Sequence, residues 1–113
     1  MHEVSICESV IDILTGEAAS HGSTRVKAVR LMVGEMSGVI EDSMRFAFEV
    51  VSKGTVAEGA ELVIDTVPLT ARCKGCGREF HVEGYAFTCA HCGGPDIEIV
   101  SGRELMVEEI ELE

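Results

Sequence analysis

Cys73-Lys74-Gly75-Cys76 and Cys89-Ala90-His91-Cys92 stand twelve residues apart in a chain of 113, and this spacing decides how the rest of the sequence is organised. A C-x2-C turn lets two thiolates reach one ion. Two such knuckles at the ends of a short hairpin complete a tetrahedron of sulfur, which suits Zn²⁺ at about 2.3 Å per Zn–S bond. Gly75 and Gly77 ease the first tight turn, and Gly93-Gly94 the second. Four thiolates leave no open coordination position, so Cys73, Cys76, Cys89 and Cys92 are expected to hold a structural rather than a catalytic zinc. Thiolate softness also admits a rubredoxin-like iron. A thioredoxin-like redox role fits poorly, because neither pair opens a helix in a thioredoxin-type unit. His91 lies inside the second knuckle and is read as facing solvent or the outer side of the site. His81 is read as outside the resting coordination sphere, with a capacity to replace a cysteine under stress. Segment 70–101 has few apolar residues of its own, so metal binding is expected to drive its folding.

Outward from this module, residues 61–67 read as a strand ended by Pro68, and residues 104–112 as another. The apolar residues of the latter change parity between Leu105/Val107 and Ile110/Leu112, which a bulge near Glu108-Glu109 would reconcile. The simplest arrangement pairs these two flanking strands as neighbours and lets the module project from their ends. Residues 4–21 read as an amphipathic helix with Val4, Cys7, Val10, Ile11, Leu14 and Ala18 on one face, closed by Gly22. Cys7, on that apolar stripe, reads as a small buried hydrophobe. Residues 25–34 read as a strand with Lys27, Val29, Leu31 and Val33 on one side, followed by a turn over 34–38. A second helix over 41–53 carries Met44, Ala47, Phe48 and Val51 on one face. The expected fold is α+β: a three-stranded sheet backed by two helices, with an inserted four-cysteine zinc-ribbon module. Residues 1–69 plus 102–113 form one domain and 70–101 the module.

The charge balance narrows the function. Twenty acidic residues face nine basic ones, for a formal charge of -11, a field that repels a phosphate backbone. Segment 73–101 carries Lys74 and Arg78 against Glu79, Glu83, Asp96 and Glu98, so a zinc-ribbon nucleic-acid-binding module lacks its basic stripe. A zinc-ribbon protein-interaction module stays open as an alternative. A zinc enzyme is disfavoured, because the zinc has no free position and there is no second His/carboxylate cluster. No apolar run reaches the length of a membrane span. The opening residues do not read as a signal peptide, and an odd count of five cysteines without an export signal points to metal rather than disulfides. The expected location is cytoplasmic.

The amino terminus holds a second constellation, Met1-His2-Glu3. A bulky second residue blocks removal of the initiator Met, which keeps the free amine one residue before His2. That amine, the His2 amide and the His2 imidazole can chelate one ion. The Glu3 amide can supply a fourth nitrogen and its carboxylate can cap the site or receive protons. Nitrogen ligands in a plane suit Ni²⁺ or Cu²⁺.

Three features coincide: Met1-His2-Glu3 opening a helix, the two cysteine pairs, and Val33-Gly34-Glu35-Met36-Ser37 after the first strand. Together they resemble the HypA/HybF family of hydrogenase nickel incorporation proteins over essentially the whole chain. The resemblance implies a non-enzymatic metallochaperone that carries Ni²⁺ as cargo to the large subunit of NiFe hydrogenase, working with the GTPase HypB. It implies His2 as the key nickel ligand, supported by the Met1 amine and Glu3, and carries the zinc ligands over directly. HypB is expected to dock near the nickel site. Glu41 and Asp42 read as first-turn helix charges rather than ligands. Nothing in the sequence decides whether the chain forms a homodimer.

Overall fold

The computed structural model describes residues 2–113. In chain order the elements are α1 (His2–Ser20), β1 (Val26–Gly34), a single 3-10 turn (Glu35–Ser37), α2 (Glu41–Val51), β2 (Glu61–Val67), β3 (Thr70–Cys73), β4 (Glu79–His81), β5 (Ile97–Ser101) and β6 (Leu105–Leu112). The fold is α+β. The chain divides into two compact units, one built from the chain up to Met32, Val39–Asp65 and Met106–Glu113, the other from Val33–Gly38 and Thr66–Leu105.

In the first unit, α1 buries Cys7, Val10, Ile11, Leu14 and Ala18, as their three-four spacing dictates. The helix packs against α2, which buries Met44, Ala47 and Phe48. Cys7 sits in this seam, with its Sγ 3.6 Å from the Met44 carbonyl and 3.8 Å from Met44 Sδ. Burial, and then the charge of Glu3, push its thiol up to about 11, so it behaves as an inert apolar group. Gly22, at φ 67°, follows the end of α1 as expected.

The first turn of α1 departs from the expected stripe. Glu3 is only 7% exposed, whereas Val4 is 46% exposed. Both positions flank Cys7 on the helix surface, at i−4 and i−3, so periodicity alone does not choose between them. The start of α2 makes the choice. Ile40 caps that helix without a side-chain hydrogen bond, and its backbone N–H donates to Glu3 Oε2 at 3.4 Å. A carboxylate there also meets the positive end of the α2 dipole.

The larger sheet has the order β2-β1-β6. The two strands that flank the cysteine module are therefore not neighbours, contrary to the simplest sequence reading; β1 lies between them. The composition of the strands explains this order. β1 buries Val26, Val29, Leu31 and Val33, and the most apolar strand belongs in the centre. β2 and β6 carry Glu61, Asp65, Glu108, Glu109 and Glu111, which suit edges because charge there discourages further pairing. Arg30 on β1 spans all three strands, reaching Asp65 Oδ2 at 2.9 Å and Glu109 Oε1 at 3.5 Å. Lys27, near the start of β1, is exposed and lies 3.8 Å from Glu111. Along β6 the half-buried residues change parity from Val107 to Ile110, across the exposed Glu108 and Glu109.

The second unit has its own antiparallel sheet, β4-β3-β5. The module is thus closed by its own pairing of β3 with β5, in the register Arg72↔Glu98 and Cys73↔Ile97. Its small core is Leu69, Ala71, Cys73, Phe80, Val82 and Cys89, with Met36, Ile97 and Ile99 packed against it.

Residues 33–38 are held to the second unit by Gly34 N–H to the Glu104 carbonyl at 2.6 Å and Met36 N–H to the Gly102 carbonyl at 2.8 Å. The approach is so close that a Cβ on Gly34 would collide with the Gly102 backbone. Gly34→Ala is therefore expected to cost about 3 kcal/mol, seen as a lower Tm. Gly16→Ala, in α1 with nothing within 4 Å of the added carbon, should instead gain about 0.5–1 kcal/mol. Equal melting temperatures for the two variants would show that the Gly34 crossing is loose.

Candidate metal centre

The two knuckles repeat one backbone pattern. In the first, Cys73 N–H donates to the Arg78 carbonyl at 2.9 Å and Gly77 N–H to the Cys73 carbonyl at 2.8 Å. In the second, Cys89 N–H donates to the Gly94 carbonyl at 2.8 Å and Gly93 N–H to the Cys89 carbonyl at 2.9 Å. Gly77 and Gly93 hold the same place in each turn, at φ 78° and 75°, a left-handed conformation that costs a glycine little. A further bond, Lys74 N–H to the Asp96 carbonyl at 2.9 Å, ties the first knuckle to the chain entering β5.

These turns bring the four sulfur atoms together. All lie within 4.8 Å of one another, with Cys73 and Cys92 at 3.6 Å and Cys76 and Cys89 at 3.7 Å. A tetrahedron with about 2.3 Å Zn–S bonds has edges of about 3.8 Å, so the donors fit zinc in both chemistry and size. None of the five cysteines forms a disulfide. Backbone N–H groups aim at the sulfurs: Cys76 at Cys73 Sγ (3.4 Å), and His91 and Cys92 both at Cys89 Sγ (3.3 Å). The Cys92 amide foremost, with that of His91, pulls Cys89 down to about 6. At Cys92 the Gly94 amide pulls downward, but sharing with the Cys73 and Cys89 sulfurs outweighs it and the thiol rises. The cluster is thus already biased toward a thiolate, and a cation would replace the protons its sulfurs share.

Neither histidine joins this group, which among the described residues is the one cluster with metal-ligand geometry. The His91 ring packs edge-on against Phe80, with centroids 6.4 Å apart, while its backbone N–H serves Cys89. His81 pairs instead with Glu35, Nε2 to Oε1 at 3.0 Å, and approaches Glu83 through Nδ1 at 3.6 Å. Bonds from the Leu69 amide first, and then from His81, hold the Glu35 carboxyl below the usual carboxylate range. The hydrogen bond to Glu35 is the main cause that raises His81 above 6.5. This pairing was not legible in the sequence, since it joins residues 46 positions apart.

At the other end of the chain, His2 is exposed in the first turn of α1 and Glu3 is turned inward. Helix geometry leaves first-turn amides such as that of His2 without an intrahelical carbonyl. Met1, the third member of the expected nickel set, lies outside the described residues. Glu41 pairs with Arg45 at 3.1 Å along α2. Asp42, Glu3 and Val4 line one end of a cleft of about 520 Å³ that continues along Phe46, Ala47, Val50 and Val51.

A closed four-thiolate centre on a small sheet defines a metal-binding protein whose centre supports structure rather than catalysis. The family model described as hydrogenase/urease nickel incorporation, metallochaperone, hypA matches residues 1–112. The chain is 46% identical over 113 residues to the hydrogenase maturation factor HypA of Geobacter metallireducens, and 42% identical over 113 residues to that of Geotalea uraniireducens, covering 100% of both chains in each case. It belongs to the HypA family, and its function is that of a nickel metallochaperone, not of an enzyme. The solution structure of the Ni metallochaperone HypA from Helicobacter pylori shares the fold, with a TM-score of 0.69 at 24% identity over 99% of this chain and 97% of that one. A second solution structure of a HypA protein gives 0.74 at 24% identity, over 99% and 96%.

Proposed function

We propose that this protein binds Ni²⁺ through Met1, His2 and Glu3 and delivers it for maturation of NiFe hydrogenase, with zinc held by Cys73, Cys76, Cys89 and Cys92. The observation that supports the zinc assignment is the gathering of four sulfurs within 4.8 Å of one another, with two separations, 3.6 and 3.7 Å, near the ZnS₄ edge of about 3.8 Å. The nickel assignment is supported by family membership over residues 1–112 and by an exposed His2 in the first turn of a helix. A protonatable chelate can release what it binds, which a transfer protein needs. In this reading the Glu3 carboxylate, next to His2 in the chain, caps the ion.

HypB and the hydrogenase large subunit are the partners this reading requires. The α1–α2 cleft supports a docking place in the same unit as the nickel residues. Phe46 is 68% exposed, with Val50 at 50% and Ile40 at 62%, an apolar surface of the kind that marks interaction sites. Phe46→Asp is expected to weaken HypB binding about tenfold or more without changing zinc content, measured by titration of the two purified proteins. Undiminished affinity would move the docking place elsewhere. No helix among the described residues is long and apolar enough to cross a membrane, and we place the protein in the cytoplasm, where thiols stay reduced for metal. The alternative of a zinc-ribbon nucleic-acid module gains no support, since Arg72 on β3 is itself paired with Glu98 at 2.9 Å.

A further inference from the structure

We propose that Glu35 and His81 form a proton-gated clasp that fixes the Val33–Gly38 segment onto the sheet of the cysteine module. Glu35 lies in the 3-10 turn between β1 and α2, far in sequence from the cysteines, yet its Oε1 accepts two bonds from the module: the Leu69 N–H at 2.7 Å and His81 Nε2 at 3.0 Å. The two donors are held side by side. Thr70 pairs with His81 across the β3–β4 ladder, and the Val82 N–H donates to the Leu69 carbonyl at 2.8 Å. One carboxylate oxygen thus bridges the entry of β3 and the end of β4.

The imidazole is what makes the clasp responsive. Its Nε2 faces Glu35 and its Nδ1 faces Glu83 Oε1 at 3.6 Å. A neutral imidazole carries one N–H and can serve one of these acids; its bare nitrogen then meets the lone pairs of the other. An imidazolium donates from both nitrogens and satisfies both. The other groups around His81 do not offset this. Thr70, opposite on β3, is not titratable in this range and bonds Ser101 Oγ at 2.6 Å. Arg72, further along β3, is taken by Glu98. His91 lines the same cleft of about 520 Å³ as His81 and Glu83, with its ring packed edge-on against Phe80.

The two pKa directions set the working window. His81 is raised, so its contribution is complete below its unfolded value and disappears as pH rises through its folded one. Glu35 is lowered, so its contribution is present above the ordinary carboxylate range and disappears as pH falls through its folded value. The clasp is tightest between the folded midpoints of Glu35 and His81 and loosens on the alkaline side of the His81 midpoint, where a neutral ring serves one of the two acids. With Glu35 and His81 both nearly half exposed, solvent screens the pair, so opening loosens one segment and does not unfold the unit. Other ties of that segment include the backbone bonds from Gly34 and Met36 and the packing of Met36 against the module's core.

The test is an NMR titration of the zinc-loaded, full-length protein, following the His81 imidazole signals and the exchange protection of the Leu69 and Met36 amides. His81 should titrate above about 6.5, and Glu35→Gln should bring its midpoint back toward that value, with Glu83→Gln doing so in part. Protection at Leu69 and Met36, corrected for intrinsic exchange, should fall about threefold or more as pH passes the His81 midpoint. His81→Gln, which keeps a donor but cannot titrate there, should show no such step while retaining zinc. An unchanged His81 midpoint in Glu35→Gln, or a Leu69 protection step that persists in His81→Gln, would overturn the clasp.

Discussion

Replacing Cys76 with Ser, or stripping the metal with a chelator, is expected to unfold the β4-β3-β5 sheet while the helices and the larger sheet stay folded. The size of the effect follows from how little else holds the module. Two of the six residues in its buried cluster, Cys73 and Cys89, are themselves ligands, and the remaining four, Leu69, Ala71, Phe80 and Val82, make a core too small to order the loops around it. Metal binding in comparable zinc modules is worth about 10–16 kcal/mol. The first unit keeps a separate core that includes Leu14, Leu31 and Met44, all 2% exposed or less. Hydrogen exchange on metal-free and zinc-loaded protein would read this directly: β3 and β5 amides should lose protection and α1 amides should not. X-ray absorption of the loaded protein should show four sulfur neighbours. A metal-free Cys76→Ser protein with β3 and β5 still protected would show that the small core suffices and that the metal is not a folding element.

The second large effect concerns nickel. The expected ligands are an α-amine, an imidazole and amide nitrogens, all of which compete with protons for the metal. Affinity should therefore fall steeply as pH is lowered from about 8 to about 6, while zinc, held by four thiolates already joined to one cation, should resist the same change. His2→Ala should weaken nickel binding about a hundredfold. An extension left before Met1 should do comparable harm, because it converts the amine into an amide. Glu3→Gln should do less if only the backbone of residue 3 ligates, and comparable harm if the carboxylate does. Its carboxylate also accepts the Ile40 amide, so the melting temperature of this variant must be measured beside its nickel affinity. Calorimetry on untagged, tagged, His2→Ala and Glu3→Gln proteins at several pH values separates these cases. Full-strength binding by the tagged protein would remove the amine from the ligand set.

The four-cysteine cluster, the two helices and the positions of β1, β2 and β6 were legible in the sequence because each depends on neighbours a few residues away. The spacing within a C-x2-C pair decides whether two sulfurs can share an ion, and Gly77 and Gly93 carry the positive φ that closes each turn. The period of Cys7, Val10, Ile11, Leu14 and Ala18 decides which face of α1 goes inside. The tertiary structure alone decided what depends on partners distant in sequence. β1 took the centre of the sheet, between strands that flank the module, because strand order follows which strand can be buried on both edges. Glu3 displaced Val4 from the interior because the start of α2, 37 residues away, presents an N–H that a valine cannot satisfy. The Val33–Gly38 segment grouped with the cysteine module through backbone bonds at Gly34 and Met36 and through Glu35, whose partners Leu69 and His81 lie 34 and 46 residues on. Local periodicity carries no information about such pairings, since they are chosen by which donors and acceptors the packed chain leaves facing each other.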